Sequence, residues 1–498
     1  MRLLISNPDA LGDFVLRQPM IASLVAEGHQ PMLVVRDFVA PLARLLFPHL
    51  PLLHCPGDPY SSSFTLDSLA GEEMVSRIRG FTPDLLVAAS YQYTRLEEEL
   101  VLMLPDTPNL ALSGQLYPGD PGEGRPIQPR IEFRDRVVVA VDAPELGKNE
   151  QLASRILGRN IDLPVPAVQV PEAVRQTTTT RLRGLGIERG RYWVACVGDT
   201  SHSAIRNWGV PNWAIFLEGM LKRTGAPLLF VGTPEESATV ERIQESLGSL
   251  ARQTVNCCET PDSIDALIGL LEGSAGYVGK DTGPMHLAAA LGKPVLAIFG
   301  GGHWPRFVPA ARTGAVLTVT VPCSPCNWRC HVQDSWCLKA VPVEEALAAF
   351  DRILQDPAGP FEILEIQAPP PLVHRMVRES SDRYLTVIRQ YAQLLKELQH
   401  APAADDASGT TGRTLHPSSG VAGPTAHPEG NGVSEMAALR GQVLDLQAQL
   451  EEKATEAATL RRLLPVLRDE IDHLLSAPPA PAQSAPWQAI WRKLSQGK

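Results

Sequence analysis

The clearest chemical pattern in the chain lies in residues 279–294. An apolar run over residues 275–278 leads into Asp281-Thr282-Gly283-Pro284, and small residues at helical spacing follow. This order predicts a strand, a tight turn and the start of a helix. Thr282 and Gly283 would then present backbone N–H groups and a hydroxyl at a helix N-terminus, where the partial positive charge suits a phosphate.

A second strand is predicted directly after this helix. The apolar run 295–299 ends in Gly300-Gly301-Gly302-His303, which is typical of a strand that opens into a loop. Open α/β sheets bind their ligands at the carboxyl ends of strands, so the spacing favours an anion or nucleotide site. His286 lies one helical turn inside the predicted helix. It could reach a phosphate or pack as a structural histidine, and Met285 is expected in the core.

Asp13 is the second candidate for chemistry. Ala10-Leu11-Gly12-Asp13 follows the first predicted strand, so Gly12 would shape the turn and Asp13 would lie at the start of the next helix. From the residues alone, a helix-capping aspartate is the better interpretation. Arg206 follows another predicted strand, residues 192–197, and by itself is compatible with a solvated surface arginine.

Four cysteines lie within fifteen residues of one another, namely Cys323, Cys326, Cys330 and Cys337. Four thiolates at this spacing predict a closed tetrahedral metal site. Zinc is the expected ion, with iron as the alternative, because sulfur-only sites accept both. Such a site leaves no open position for catalysis. Reduced thiols without a metal, or partial disulfides, are the other interpretation.

Composition limits the class of protein. The chain has 498 residues, which suggests two or three domains with tails. A net charge of −10 argues against a general nucleic-acid binder. The sequence shows no secretory pattern at its start and no run of 18 apolar residues, which predicts a cytoplasmic protein.

Strand and helix patterns alternate over the first 350 residues. One series includes the apolar runs 3–5, 32–35, 85–89 and 137–140, and a second begins at residue 192 and ends at 299. This alternation predicts βαβ units with parallel sheets, hence an α/β fold with two Rossmann-like halves facing across a cleft. A polar, proline-containing stretch, roughly residues 163–180, is predicted to connect them.

The character of the chain changes after about residue 355. A helix is predicted over 372–400 and a disordered linker over 401–433. A heptad repeat over 434–476 has apolar residues at eleven of its twelve core positions, Lys453 being the exception, and favours a coiled coil. A single amphipathic helix docked on the core is the alternative. The tail, 477–498, ends in tryptophans beside basic residues and is compatible with a membrane surface or a free terminus.

The motif Asp-Thr-Gly-Pro-Met-His-Leu-Ala-Ala-Ala-Leu-Gly-Lys-Pro, residues 281–294, resembles the signature of the ADP-heptose:lipopolysaccharide heptosyltransferases, glycosyltransferase family 9. The resemblance covers about residues 1–355 and implies the GT-B fold. It divides this part into an acceptor-side domain, 1–165, and a nucleotide-sugar domain, 180–355. The Cys-x-Pro-Cys at 323–326 is also similar to a cluster in many relatives.

The resemblance assigns roles to the candidate residues. It implies that Asp13 is the general base, which takes the proton from the acceptor hydroxyl. Arg206 occupies the position of a family lysine that reaches the donor diphosphate. Asp281 is expected near the donor sugar or a divalent cation, such as Mg²⁺ accompanying the nucleotide sugar, and Thr282, Gly283 and His286 near the phosphates. Asn7-Pro8-Asp9 departs from relatives, which often have a basic residue there.

The function implied is an inverting transfer of heptose from ADP-heptose, or a related nucleoside-diphosphate sugar, to a lipopolysaccharide core or related glycan. A lipid-linked acceptor would place the enzyme peripherally on the inner face of the cytoplasmic membrane. A protein hydroxyl as acceptor is one alternative, and a catalytically degenerate scaffold is another. The coiled coil predicts a homo-oligomer or the recruitment of a partner enzyme.

Overall fold

The computed structural model describes residues 1–116, 128–198, 204–258, 263–321, 335–369 and 371, together with residues 324, 326 and 330. Within this part, two parallel sheets follow one another along the chain. The predicted helix 372–400, linker, coiled coil and tail lie outside the described residues. No helix of the described part is long and apolar enough to cross a membrane.

The first sheet is built from six parallel strands. In chain order, the strands of the N-terminal half are β1 (Arg2–Asn7), β2 (Gln30–Val35), β3 (Leu52–His54), β4 (Leu85–Ala88), β5 (Gln92–Tyr93), β6 (Asn109–Leu112), β7 (Gln115–Leu116) and β8 (Asp135–Val137). The sheet order is β3-β2-β1-β4-β6-β8, while β5 and β7 pair separately. The order reverses direction beside β1, which makes the β1 loop the switch point where such sheets bind ligands.

The second sheet repeats this plan with seven parallel strands. They are β9 (Trp193–Cys196), β10 (Leu228–Phe230), β11 (Thr254–Asn256), β12 (Gly276–Lys280), β13 (Val295–Phe299), β14 (Gly314–Thr320) and β15 (Glu362–Gln367). Their order is β11-β10-β9-β12-β13-β14-β15, with the switch point between β9 and β12. The two Rossmann-like halves predicted from the sequence are therefore confirmed.

Helices cover both sheets. The N-terminal half has α1 (Leu11–Ala26), α2 (Ala40–Leu46), α3 (Leu69–Phe81), α4 (Arg95–Met103) and α5 (Glu145–Leu157). The C-terminal half has α6 (Glu172–Gly184), α7 (Val210–Thr224), α8 (Ser237–Leu247), α9 (Ile264–Gly273), α10 (Gly283–Ala290), α11 (Trp336–Lys339) and α12 (Val343–Gln355). One apolar cluster includes buried residues of both halves, so α1 packs against α10 as well as against its own sheet.

Helix α1 differs from the simplest sequence interpretation at its start. Its N-cap is Ala10, which makes no side-chain cap, and Asp13 lies in the first turn. The helix-capping interpretation of Asp13 is therefore wrong. The carboxylate is left for other contacts, at the positive end of the helix dipole.

The predicted connection between the halves is shorter than residues 163–180, because α6 begins at Glu172. Its threonine-rich sequence is polar, yet the hydroxyls of Thr177, Thr179 and Thr180 donate to backbone carbonyls four residues earlier, at 2.7–3.1 Å. Thr178 and Leu182, four residues apart, are the buried residues of this helix. Such back-bonding allows β-branched polar residues inside a helix, a possibility that composition alone hides.

Candidate active site

The N-termini of α1 and α10 meet where the two halves face each other. A Cβ atom added to Gly12 would lie 2.7 Å from Cδ2 of His286 and 3.6 Å from Cα of Gly283. One added to Gly283 would lie 3.0 Å from Cβ of Leu11. Both glycines therefore permit a backbone approach that any side chain would block. This contact brings the loop that holds Asp13 next to the loop that holds Asp281–Gly283.

Asp13 has the chemistry of a base poised near neutral pH. Burial, helped by the negative charges of Asp9 and Glu145, raises the pKa of this carboxyl from 3.8 to about 7 against the opposing charges of Arg306 and Arg17. A carboxylate that is half protonated near neutral pH can accept a proton and release it again. Perturbed groups of this kind concentrate at functional sites.

Asp9 is held by three donors in the loop between β1 and α1. Arg17 Nη1 donates to its Oδ2 at 3.1 Å, Ser90 Oγ donates to the same oxygen at 2.7 Å, and the Tyr60 hydroxyl donates to Oδ1 at 3.2 Å. Arg17 is fully buried on α1. This network fixes a second carboxylate one helical turn before Asp13, at the position where relatives were expected to have a basic residue.

Glu145, the first residue of α5, is a buried centre of charge. Arg17 Nη2 lies 3.5 Å from its Oε1, and Arg306 Nε and Lys148 Nζ lie 2.7 and 3.7 Å from its Oε2. Burial alone would raise the pKa of Glu145, but these three cations together hold it below its ordinary value. Arg306 comes from the loop after β13, so this cluster joins the two halves.

The turn between β12 and α10 has a different character. Burial raises the pKa of Asp281 to about 6, against the opposing charges of Arg206, Arg306 and Lys280. Thr282 is the N-cap of α10 but does not cap it with its side chain. Its hydroxyl lies 3.2 Å from the Tyr277 hydroxyl, turned toward the sheet. Pro284 has no N–H, and the N–H of Met285 donates to the Thr282 carbonyl at 3.1 Å. The N–H of Gly283 is therefore the backbone donor that the start of α10 offers to an anion, in keeping with the predicted phosphate site.

Lys280, the last residue of β12, is fully buried beneath this turn. Its Nζ lies 3.2 Å from Oε1 of Glu236 and also donates to the carbonyl of Gly198. Glu236 closes a capping box by accepting the N–H of Thr233 at 2.8 Å. The ion pair thereby ties the ends of β9, β10 and β12 together under the proposed phosphate site.

His286 is buried on α10 and faces the Gly12 backbone. Burial lowers the pKa of its imidazole to about 4, although Glu145 opposes that shift, so the ring is neutral at pH 7. Its buried Nδ1 atom has no hydrogen-bond partner among the described residues. A neutral ring with an unmatched nitrogen is consistent with both the structural and the phosphate-binding interpretation.

Arg206 ends a short 3-10 helix, Ala204–Arg206, after the carboxyl end of β9. Its charge acts on Asp281, which places the predicted diphosphate cation on the same side of the cleft as the α10 turn. The preceding residues 199–203 lie outside the described part of the chain.

The glycine loop after β13 is anchored through both backbone groups of Gly301. The N–H of Gly301 donates to Cys337 Sγ at 3.3 Å, and Ser324 Oγ donates to the Gly301 carbonyl at 2.8 Å. Among the described residues, no group of three or more His, Cys, Asp or Glu side chains is arranged to hold a metal. Cys323 lies outside those residues, so the four-cysteine metal site stays a prediction.

Sequence reasoning missed the buried charges around the candidate site, namely Arg17, Glu145, Lys148, Glu236, Lys280 and Arg306. Two of them could have been recognised from their positions in the sequence. Arg17 interrupts the apolar pattern of α1, and Lys280 ends an apolar strand. A charge at a buried position requires a partner of opposite sign, so each should have prompted a search for one.

Two Rossmann-like halves whose ligand-binding edges face each other define the GT-B class of glycosyltransferase folds. Residues 125–336 match the family model described as Glycosyltransferase family 9 (heptosyltransferase). The match spans less than half of the chain, and within that range it confirms the resemblance to family 9 predicted from the sequence. The matched range includes Arg206 and Asp281–His286 and begins after Asp13.

Known proteins resemble the chain in sequence and in fold. Lipopolysaccharide heptosyltransferase 1 of Pseudomonas aeruginosa is 32% identical over 123 residues, which are 24% of this chain and 32% of that protein. The alignment thus spans about a third of that curated relative.

Two solved structures have the same fold. A family 9 glycosyl transferase from Veillonella parvula has a TM-score of 0.57 at 13% identity, covering 71% of this chain and 97% of the other. The E. coli ADP-heptose lipopolysaccharide heptosyltransferase II has a TM-score of 0.54 at 16% identity, covering 72% and 100%. At these identities the likeness shows the fold alone, and it confirms the GT-B prediction.

Proposed function

We propose that this protein is an inverting glycosyltransferase that moves heptose from ADP-heptose, or a related nucleoside-diphosphate sugar, to a glycan acceptor such as a lipopolysaccharide core. The observation that supports it best is the meeting of the α1 and α10 N-termini, which puts a carboxyl with a pKa of about 7 beside an uncapped helix end. A base and an anion site side by side are what sugar transfer from a diphosphate requires.

In the proposed reaction, Asp13 accepts the proton of an acceptor hydroxyl while that oxygen attacks the anomeric carbon. The bond from this carbon to the diphosphate oxygen breaks, and the electron pair leaves with the diphosphate. Attack from the face opposite the leaving group inverts the configuration at the anomeric carbon. Inverting glycosidases use one carboxylate as base and a second carboxyl group to protonate the leaving oxygen. Here the leaving group is a diphosphate whose charge would be offset by cations and N–H donors, so the base alone would be required.

On the donor side, the leaving diphosphate gains negative charge as the bond breaks. The start of α10, with Thr282 and the N–H of Gly283, would receive its oxygens, and the Arg206 guanidinium would offset its charge. Asp281, held in the adjoining turn, would orient the sugar or a Mg²⁺ ion bound with the nucleotide. His286 would reach a phosphate through its ring.

ADP-heptose is proposed because the chain is similar to two lipopolysaccharide heptosyltransferases, of P. aeruginosa and E. coli, the second of which is named for ADP-heptose. The acceptor hydroxyl could equally belong to a protein, because Asp13 acts on the hydroxyl and not on the molecule that presents it. A glycolipid acceptor would bring the protein to the inner face of the cytoplasmic membrane.

The test is a transfer assay with the purified full-length protein, a panel of nucleoside-diphosphate sugars, and glycolipid extract or peptide acceptors. We expect turnover with ADP-heptose and a product of inverted anomeric configuration by NMR. Asp13→Asn, which keeps the side-chain shape, should abolish transfer while donor binding by calorimetry is retained. Asp67→Asn, on the surface of the same half, is the matched control.

Three results would separate the alternatives. Transfer only to peptides would identify a protein heptosyltransferase. Donor binding without transfer to any acceptor would favour a degenerate enzyme. If no sugar nucleotide binds at all, the scaffold function becomes the better interpretation, and its assembly through residues 434–476 should appear in the molar mass measured by light scattering.

We also propose that the four cysteines bind zinc, with iron as the alternative. Cys337 is buried, and a charge on Cys330 acts on it, so the two thiols lie close together. A metal there would support the Gly301 loop through Cys337. Metal analysis of the purified protein should find about one ion per chain, and Cys330→Ser with Cys337→Ser should remove it, whereas Cys55→Ser should not.

A further inference from the structure

The most unusual group outside the proposed donor and base residues is Glu145. It is 1% exposed, yet it has one carboxylate in contact with Arg17, Lys148 and Arg306. A buried carboxylate needs partners, but one partner would be sufficient to neutralise it. The second and third cations leave this cluster positively charged before the carboxylates of the cleft are counted.

Arg306 reaches Glu145 from the other half of the molecule through two bonds. Its Nε donates to Oε2 at 2.7 Å, and its carbonyl accepts the backbone N–H of Glu145 at 2.9 Å. The guanidinium also lies 4.9 Å from the ring centre of Tyr91 and 4.6 Å from that of Phe307. Side chain and backbone together therefore fix Arg306 beside α5, in one orientation.

Asp13 belongs to the same cluster by position. It precedes Arg17 by one turn on α1, and Arg17 contacts both Asp9 and Glu145. Several elements packed around Asp13 contribute charged or titratable groups that act on it or adjoin its loop. These groups are Asp9, Arg17, Tyr60, Glu145, His286 and Arg306. Arg306 is the cation in this set that the C-terminal half contributes.

We propose that Glu145 and Arg306 act as a pair of positioning residues that sets the proton affinity of Asp13 only when the two halves are together. Glu145 holds the guanidinium in one orientation beside α5, so that it does not turn toward the base and the base keeps enough affinity to take a proton. The C-terminal half thus adjusts the base of the N-terminal half. This inference rests on the proposed function of Asp13.

The two partners have opposite effects on Asp13, and this gives the inference its distinctive prediction. The negative charge of Glu145 raises the pKa of Asp13, and the positive charge of Arg306 lowers it. Removing Glu145 also frees Arg306 to turn toward Asp13, which lowers that pKa further. A merely structural role at the junction would instead make both substitutions act in the same direction.

The experiment compares pH profiles of kcat/KM for transfer by the full-length protein. In Arg306→Gln we expect the acid limb to move to higher pH by about one pH unit, and in Glu145→Gln to lower pH by a similar amount. The double variant removes both charges, so its acid limb should return toward that of the wild type. Glu272→Gln, whose carboxylate likewise accepts from two arginines, is the matched control with an unmoved limb.

A second readout does not depend on turnover. Thermal unfolding of each variant and of its counterpart with Asp13→Asn, measured across pH, reports the titration of Asp13 in the folded protein. The pH at which the two curves diverge should move in the same directions as the acid limbs. This measurement remains informative if Glu145→Gln alone is too unstable to assay, because Arg306→Gln and the double variant can still be compared.

The inference is overturned if both single variants shift the limb in one direction, or if neither shifts it while transfer continues. The failure of the proposed function would look different. In that case the wild-type protein would show no transfer at any pH, while the thermal measurements would still report how the pair acts on Asp13.

Discussion

The two turns that meet at the cleft have the same place in the fold and different chemistry. In both sheets the turn follows a strand at the point where the strand order reverses. The β1–α1 turn holds two carboxylates, Asp9 and Asp13, among charges from α1, α5 and the opposite half. The β12–α10 turn holds Asp281 above one buried ion pair and otherwise offers the N–H of Gly283 at the positive end of a helix.

This difference suggests how one fold can serve two tasks. A base needs a proton affinity near the working pH, and affinity is adjusted by charges at several distances. An anion site needs rigid donors aimed at one place, which a helix end provides without adjustment. We therefore expect substitutions near Asp13 to change the pH dependence of activity and stability. Substitutions near Asp281 should instead change the stability of the turn that positions the donors.

The largest loss of stability is expected at Lys280, whose buried ion pair lies beneath the β12–α10 turn. Lys280→Met removes the partner of buried Glu236 and leaves an uncompensated charge, which should cost about 3–5 kcal/mol of unfolding free energy in urea titrations. Arg352→Met is the control, because its pair with Glu362 is exposed and should contribute about 1 kcal/mol or less. Equal losses in the two variants would contradict the assigned role of Lys280.

The next largest effect is expected at Asp13, in the β1–α1 turn. Because the folded pKa of Asp13 is about 7 against 3.8, the folded state keeps its proton longer than the unfolded chain does. The stability that this proton contributes is present below about pH 4 and is lost as pH rises through about 7. Asp13→Asn should match the wild type at low pH and exceed it by about 2–4 kcal/mol at pH 8.

Thermal unfolding across pH measures this difference, and Asp84→Asn is the control of opposite sign. The backbone N–H of Arg2 donates to Asp84 at 2.7 Å and lowers its pKa. This carboxylate therefore stabilises the fold at higher pH, and its replacement should be felt there as a loss. A difference for Asp13→Asn that does not vary with pH would mean that Asp13 titrates normally.

A smaller effect concerns the contact between the two turns. Gly12→Ala places a methyl group 2.7 Å from the His286 ring, so either the buried ring or one of the turns must move. We expect kcat/KM for transfer to fall by about 10- to 100-fold, since a displacement of about 1 Å is enough to misalign reacting groups. Gly80→Ala, with open space around it on α3, should leave kcat/KM unchanged. Unchanged activity in Gly12→Ala would show that the turns need not meet.

The same comparison indicates what the sequence could predict. The turn at Asp281–Pro284 was predicted because strand, turn and helix signals lie within a few consecutive residues. The partners of the base could not be predicted in this way, because Glu145 and Arg306 are separated by 161 positions and Glu145 and Arg17 by 128. Helix α6 was partly missed because local hydroxyl bonds, invisible to composition, allow its threonines.

The smallest effect is expected at Tyr91, whose uncharged ring in the N-terminal half contacts the Arg306 guanidinium of the C-terminal half. Tyr91 is buried, with Lys148 Nζ 4.1 Å and Arg306 Cζ 4.9 Å from its ring centre. The negative face of an aromatic ring attracts such cations, and each contact is worth about 0.5–2 kcal/mol. Tyr91→Leu should therefore lower the unfolding free energy by about 1–2 kcal/mol, measured in urea.

Tyr91→Phe separates the ring from the hydroxyl. It keeps the ring and should lose about 0.5 kcal/mol or less, because the cations contact the ring and not the hydroxyl. Its acid limb for transfer should also stay in place, because Glu145 still holds Arg306. Equal losses in the two variants would assign the effect to the hydroxyl. The N-terminal half would then hold Arg306 by charge alone, and the two turns would differ less than their contacts indicate.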